Sequence, residues 1–193
     1  MQLIFKAVSH ADSDTLWHWR NRPTARQFMY TQHEISHDEH KAWFSHMLTN
    51  TQHRYFYIVY KRVDGQPDKP LGVVNLDLNS DNSTSATWAF YAAPDAPRGS
   101  GALMEFGALS LAFETLGVTQ LNCEVLSHNQ GVVRLHQRFG FRETLQSRQR
   151  TFSLPEGKTV EIVCLSLSAD EWQQGASALQ TKLNIDTVYE QRH

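Results

Sequence analysis

The sequence predicts an α+β fold: one central mixed, mostly antiparallel sheet flanked by helices. Three observations carry this reading. Two-residue alternation recurs between residues 55 and 91 with only polar turns between the runs, the pattern of antiparallel neighbours. Strand and helix patterns do not alternate regularly along the chain, which argues against a doubly wound parallel sheet. The 193 residues, with 40% hydrophobic and 20% charged side chains, suffice for one domain with its own core. That domain is expected over residues 1–168, with a helical tail over 169–193.

Gln2–Val8 alternates and reads as the first strand. Asp12 can cap a helix running to about Arg20, with Leu16, Trp17 and Trp19 as its apolar surface; Pro23 ends it, because the residue before proline avoids the helical region. Arg26–Tyr30 fits a short helical turn. Ser36 and Glu39 have capping-box spacing and open a helix to about Thr49, with Trp43, Phe44 and Met47 inward. Tyr55–Tyr60, Leu71–Leu78 and Ala86–Tyr91 are β-branched and aromatic and read as strands. Val63–Lys69 and Asn79–Ser85 are the turns between them. Ala92–Ser100 carries two prolines and a glycine and is irregular. Gly101–Leu116 is the longest helical pattern and is apolar all round, so it should be largely buried. Leu121, Cys123 and Val125 alternate with Asn122 and Glu124 as a strand. Ser127-His128-Asn129 breaks it, and a helix follows over Gly131–Phe139, with Val132, Leu135, His136 and Phe139 on one face. Gly140 stops that helix. Glu143–Ser153 and Thr159–Leu167 read as two final strands, and Ser168 with Glu171 opens the polar tail helix.

A net charge of -2 provides no global field for nucleic acid. No charged start leads into an apolar run, and no stretch is long and apolar enough to span a bilayer. Cys123 and Cys164 sit in strand-like runs and read as buried thiols of a reducing compartment, so the expected location is the cytoplasm.

Four groups can carry chemistry. Arg98-Gly99-Ser100-Gly101, with Ala102, forms a glycine-rich entry to the long helix, where bare amides and the helix dipole suit a pyrophosphate; a plain glycine-rich loop fits equally. Asn129 can cap its helix or bind a ligand amide. Glu124 is either the wet face of a half-buried strand or a general base with a pKa raised by partial burial. His136 is either a hydrogen-bonded core residue or a proton donor in a cleft. His33, His37 and His40 have spacings that would suit a metal only if they shared one helix face; His33 precedes the helix start, so no metal is expected.

The order strand, Arg-Gly-x-Gly, long helix, strand, asparagine, short helix, Gly-Phe resembles the GNAT superfamily of acetyl-CoA-dependent N-acetyltransferases over nearly all of residues 1–167. In that family's pattern, Arg/Gln-x-x-Gly-x-Gly/Ala, Arg98 and Gly101 match and Leu103 stands at the last small position. The resemblance implies a sheet with a V-shaped splay between two parallel strands. Acetyl-CoA would lie in that splay, its pyrophosphate on residues 98–102, with Asn129 nearby and a strand amide near Phe90 or Tyr91 facing the thioester oxygen. Glu124 and His136 would face that one cleft. Within the superfamily, the sequence resembles the N-acetyltransferases of pseudaminic acid biosynthesis and flagellin glycosylation. The shared pieces are Trp19-Arg20-Asn21 with a following proline, Met29-Tyr30, Ile35-Ser36 with His40, His53-Arg54-Tyr55-Phe56, Tyr91, Leu121-x-x-Glu124-Val125 and Asn129. By that resemblance Arg20, Met29, Tyr30, His40 and Tyr91 line the site of a UDP-linked amino sugar, and a homodimer is conceivable. The family places a tyrosine on the short helix as the acid toward departing CoA thiolate; this chain has His136, and a water is the alternative donor. Two other readings stay open: an N-terminal or ribosomal-protein acetyltransferase, and a non-catalytic acetyl-CoA-binding module.

Overall fold

A computed structural model describes residues 1–49, 52–81, 84–175 and 185–190. Strand β1 (Gln2–Ala7) is followed by α1 (Ser13–Asn21), α2 (Pro23–Arg26) and α3 (His37–Thr49). Next come β2 (Arg54–Arg62), β3 (Lys69–Leu78) and β4 (Ser85–Ala92), then α4 (Ser100–Ser110), β5 (Gln120–Leu126) and α5 (Gln130–Arg138). The last elements are β6 (Arg142–Glu143), β7 (Thr151–Ser153), β8 (Thr159–Ser168) and β9 (Asp186–Glu190). Among the described residues the strands form one sheet in the order β6-β8-β5-β4-β3-β2-β1-β9, with β7 paired to β8. Pairing is antiparallel from β1 to β4 and between β5 and β8. It is parallel between β4 and β5 and between β1 and β9.

Strand alternation sorts the apolar side chains onto two faces. One face packs under α4 and α5: Leu3, Phe5, Tyr57, Val74, Trp88 and Leu121 meet Met104, Ala108, Leu109 and Val133. The other packs under α1 and α3, where Ile58 and Val73 meet Leu16, Phe44 and Met47. Helix α4 is buried from Met104 to Ser110. Gly107 lets it lie directly on β1, since a Cβ there would come within 2.3 Å of the Phe5 ring. Tyr189 of β9 donates to the Gly107 carbonyl at 2.8 Å.

Several sequence expectations are corrected. Asp12 does not cap α1; its carboxylate accepts from the Ser9 amide and hydroxyl, both at 2.8 Å, closing a 3-10 turn before that helix. Trp43 is not buried: its ring meets Phe56 edge-on but stays 46% exposed, and His40, Phe44 and Met47 at spacings of four and three make the buried stripe of α3. The helix expected over Gly101–Leu116 is α-helical to Ser110 and then widens into a π-helical turn over Leu111–Thr115. Glu143–Ser153 is not one strand. Residues 144–150 form turns, with Arg148 at a φ of 62°. The Ser147 hydroxyl bonds Glu143 and the Cys164 amide, and Arg148 pairs with Glu143 and Glu161. Local side-chain bonds replace the ladder there. Cys123 is buried, whereas Cys164 is only half-buried.

The tail also differs. Residues 169–175 are helical, and Trp172 is buried against Phe106 and Phe113, with its indole donating to Glu114 at 3.2 Å. Residues 186–190, expected as part of a helical tail, form β9 beside β1; Tyr189 gives the short strand its apolar contact, its ring lying on Phe5. The tail expectation for residues 176–184 and 191–193 lies outside the described residues. No helix among the described residues is long and apolar enough to cross a membrane.

Candidate active site

The site forms where β4 and β5 part. They pair from Ser85–Gln120 to Thr87–Asn122 and no further. Beyond that fork β4 follows β3 to Ala92, while β5 follows β8 to Leu126. The facing edges past the fork have no strand partner, so alternate amides of β4 point into the gap. The gap opens on a cleft of about 480 Å³ whose lining includes Met29, Phe90, Tyr91, Glu124, Asn129 and His136.

The entry to α4 borders this cleft. Gly99 caps the helix at a φ of 88°, the left-handed region that side chains disfavour. The Ser100 amide bonds the Pro97 carbonyl at 3.1 Å, and its hydroxyl donates to the same oxygen at 2.6 Å. Among the described residues, the Gly101 and Ala102 amides have no acceptor, at the positive end of an 11-residue helix. Gly101 lies against Phe90 and Leu135, which a Cβ there would meet at 3.6 and 3.1 Å. Arg98 is exposed. Residues 98–102 do not line the cleft itself, whose wall on that side is Ala93, Pro94 and Ala96.

Asn129 precedes α5, but its side chain caps nothing. Its carbonyl accepts from the Val132 and Val133 amides at 3.1 and 3.2 Å. Among the described residues its carboxamide has no protein partner, which leaves it to the cleft.

His136 is carried on α5 and is 2% exposed. Its Nδ1 lies 2.8 Å from Oε1 of Glu105, a fully buried carboxyl of α4. Trp88 and Phe90 of β4 meet the imidazole edge-on, with centroids at 5.2 and 5.9 Å. Burial pushes the Glu105 carboxyl up, and the contact with His136 opposes that shift.

Glu124 neighbours Cys123 on β5 and so points to the opposite face of the sheet. There it accepts a 2.5 Å hydrogen bond from the Tyr30 hydroxyl and pairs with Arg150. Burial and Glu124 hold the Tyr30 phenol well above its usual range, so it stays protonated and donates. Glu124 and His136 therefore approach the cleft from opposite faces of the sheet; the gap between the strands is what joins them.

A second cavity of about 340 Å³ lies on the α1–α3 face and shares Met29, Phe90 and Tyr91 with the cleft. Arg20 and His40 line it as well. Nη2 of Arg20 donates to the Thr31 carbonyl at 3.2 Å, and Nη1 is buried without a partner among the described residues. Burial lowers the Arg20 pKa. His40 stacks on Phe44 and donates from Nε2 to the Ser13 carbonyl at 2.9 Å; burial lowers its pKa too. Burial raises the Tyr91 phenol against the opposing field of Arg20. Asn21 organises this region from α1: its amide donates to the Ile35 carbonyl at 2.9 Å and its oxygen accepts from the Ile35 amide at 2.8 Å. Tyr30 does not join Arg20, Met29, His40 and Tyr91; it sits 48% exposed over Glu124 instead. The three spaced histidines diverge: His33 meets Glu39, His37 meets Asp14 and His40 meets the Ser13 carbonyl.

Two partners of the site, Glu105 and Arg150, are missing from the sequence reading. Glu105 has a signal: it is the one carboxylate inside an otherwise apolar helix, Gly101–Ser110. Arg150 has none, because only the turns of residues 144–150 bring it to Glu124.

A strand fork, free amides at a helix entry and a cleft with a carboxylate and an imidazole suit acyl-CoA chemistry. The sequence matches the family model described as acetyltransferase (GNAT) domain over residues 2–142.

The chain belongs to the GNAT acetyltransferase family.

The chain is similar to two curated proteins named acetyltransferase PseH, from Campylobacter jejuni subsp. jejuni strains 81-176 and NCTC 11168. They are 26% and 27% identical over 137 residues, covering 71% of this chain and 81% of each relative. Among solved structures, the spermidine N-acetyltransferase of Vibrio cholerae in complex with CoA and spermine has a TM-score of 0.76 at 18% identity, covering 89% of this chain and 98% of its own. A structure described as apo FdhC, a nucleotide-linked sugar GNAT, has a TM-score of 0.69 at 17% identity, covering 94% and 93%. At these identities the structures share the fold with this GNAT acetyltransferase. Family membership makes the chain an acyltransferase that moves an acetyl group from acetyl-CoA to an amine.

Proposed function

We propose that this GNAT acetyltransferase acetylates the 4-amino group of a UDP-linked amino-dideoxy sugar, the UDP-4-amino-4,6-dideoxy-N-acetyl-β-L-altrosamine type used in pseudaminic acid biosynthesis. The observation that carries the reading is Arg20. A buried guanidinium nitrogen without a partner, in an aromatic-walled cavity that adjoins the acetyl-CoA cleft, is suited to a diphosphate. Similarity to the two proteins named acetyltransferase PseH, with the resemblance of the N-terminal pieces to the acetyltransferases of pseudaminic acid biosynthesis, supports this reading. A cytoplasmic enzyme, with a homodimer as a further option, belongs to this reading.

The residues divide the work. The amides of Gly101 and Ala102 receive the pyrophosphate, with Arg98 at the rim, and Asn129 bonds the pantetheine amides. Arg20, Met29, His40 and Tyr91 hold the nucleotide sugar. Glu124 takes a proton from the sugar ammonium, directly or through water, because only the free amine is a nucleophile. Tyr30 and Arg150 hold that carboxylate in place. The amine nitrogen then bonds the thioester carbon, and a free β4 amide near Phe90 or Tyr91 receives the developing oxyanion. As the C–S bond breaks, the nitrogen of the adduct loses its second N–H proton to water and His136 gives its own proton to the departing thiolate.

The test is CoA release with three acceptors: the UDP-4-amino sugar, spermidine and an N-terminal peptide of a ribosomal protein. The reading expects turnover with the sugar, at a kcat/KM at least about a hundredfold above the other two. Preference for spermidine or the peptide overturns the acceptor assignment. Acetyl-CoA binding without turnover on any of the three supports the non-catalytic module instead.

A further inference from the structure

Glu105 is a buried carboxyl beside the cleft that the mechanism above leaves unused. It sits between Met104 and Phe106 on α4, has no exposed surface, and touches His136 through Oε1 at 2.8 Å; among the described residues its buried Oε2 has no partner. A buried carboxylate with a bare oxygen is costly, whereas a neutral carboxyl is far less so. The neighbours supply no further compensation. From β4 come Trp88 and Phe90, and after α5 comes Phe141, all aromatic. From β5 comes Cys123, whose thiol burial pushes well above its usual range; Glu124 lies on the opposite face of that strand, paired with Arg150. One proton is therefore shared between Glu105 and Nδ1 of His136. With Nδ1 engaged, Nε2 is the ring nitrogen left for the cleft, and among the described residues it has no protein partner.

We propose that Glu105 is a positioning residue that keeps a proton on His136 Nε2 and replenishes the ring as that proton leaves. The inference rests on the reading of His136 as the acid toward the thiolate. The step balances. The Nε2–H bond breaks as an S–H bond forms on CoA. At the other side of the ring the Glu105 O–H bond breaks as an Nδ1–H bond forms. Glu105 is left as a carboxylate that accepts from Nδ1–H; one proton from water returned to Nε2, with the Nδ1 proton passing back to the Glu105 oxygen, restores the pair. The negative charge left behind sits on the Glu105 carboxylate, held by Nδ1–H, and not on an imidazolate.

The test uses the full chain labelled with 15N-histidine. In the wild type, His136 is expected to carry its proton on Nε2 and to switch to Nδ1–H with bare Nε2 once the Glu105 carboxyl, which burial pushes up, gives up its proton on raising the pH. Glu105→Gln keeps the shape and the hydrogen bond but stores no transferable proton, so its His136 should show no switch. A wild-type His136 that stays in one tautomer throughout, or that switches equally in Glu105→Gln, overturns the proposal without any need for an acceptor. Turnover is the second arm, on whichever amine the wild type accepts. Glu105→Gln should lower kcat about tenfold or more with the acetyl-CoA KM unchanged. It should cost nothing further in a His136→Gln background, because its effect passes through that ring. Wild-type kcat in Glu105→Gln, or a loss of equal size in both backgrounds, contradicts the relay. Wild-type turnover in His136→Gln removes the acid and the relay together. Failure to acetylate the UDP-amino sugar removes only the acceptor reading and leaves the tautomer result standing.

Discussion

Glu124 shows how one side chain is shaped by three distant pieces of chain. Strand parity points it away from the α4–α5 face, Tyr30 reaches it from the loop after α2, and Arg150 reaches it from the turns before β7. Glu124→Gln keeps the volume and removes the base. It should lower kcat about a hundredfold or more while leaving the acetyl-CoA KM within about twofold, as initial rates will read. Equal loss of both would make Glu124 a structural residue. Arg20→Ala should act on the other substrate: its KM for the nucleotide sugar should rise about tenfold or more, the expected cost of charge-assisted bonds to a diphosphate, with acetyl-CoA untouched. Glu124 and His136 could be singled out as candidates from local patterns, a strand and a short helix, whereas Arg20 entered only through the resemblance carried by Trp19-Arg20-Asn21. The Tyr30–Glu124 and Glu105–His136 contacts were not legible, since they join residues 94 and 31 positions apart.

Among the elements, α3 and α4 separate what periodicity can and cannot reveal. Helical spacing marked an inward stripe on α3, but hydrophobicity alone chose Trp43 over His40. The structure buries the histidine because its Nε2 has the Ser13 carbonyl to bond. That burial has a pH signature. The unfolded chain binds a proton at His40 near the ordinary value of 6.5, which the folded chain resists. The site's contribution is thus fully present above that pH and is lost as the pH falls toward the lowered folded pKa. The fall in Tm between about pH 7.5 and about pH 5.5 should be smaller in His40→Gln than in wild type; an equal fall would assign the acid sensitivity elsewhere. On α4, the close seat on β1 rests on Gly107. Gly107→Ala drives a methyl group into Phe5, so a loss of about 2 kcal/mol is expected, read as a Tm lower by about 4–8 °C. An unchanged Tm would mean that Phe5 moves aside freely.

At the scale of the whole molecule, the α+β class and most strands followed from alternation and turn residues, while the ends of the sheet did not. β9 is five residues long, with an apolar pattern too short to distinguish from loop, and it is defined by pairing to the other terminus of the described chain. The strand fork is likewise invisible to periodicity, because β4 and β5 look regular along their own lengths; their pairing simply ends after Thr87 and Asn122. That fork is the centre of the functional account, since it lets groups on opposite faces of one sheet reach the same reacting atoms. A crystal structure with CoA and a UDP-4-amino sugar tests this most directly. The account predicts the CoA sulfur in the gap between β4 and β5, His136 Nε2 within hydrogen-bond reach of it, and the sugar amine on the Glu124 side with the diphosphate on Arg20. A sulfur outside that gap, or an amine that enters from the α5 side beyond the reach of Glu124, would contradict it.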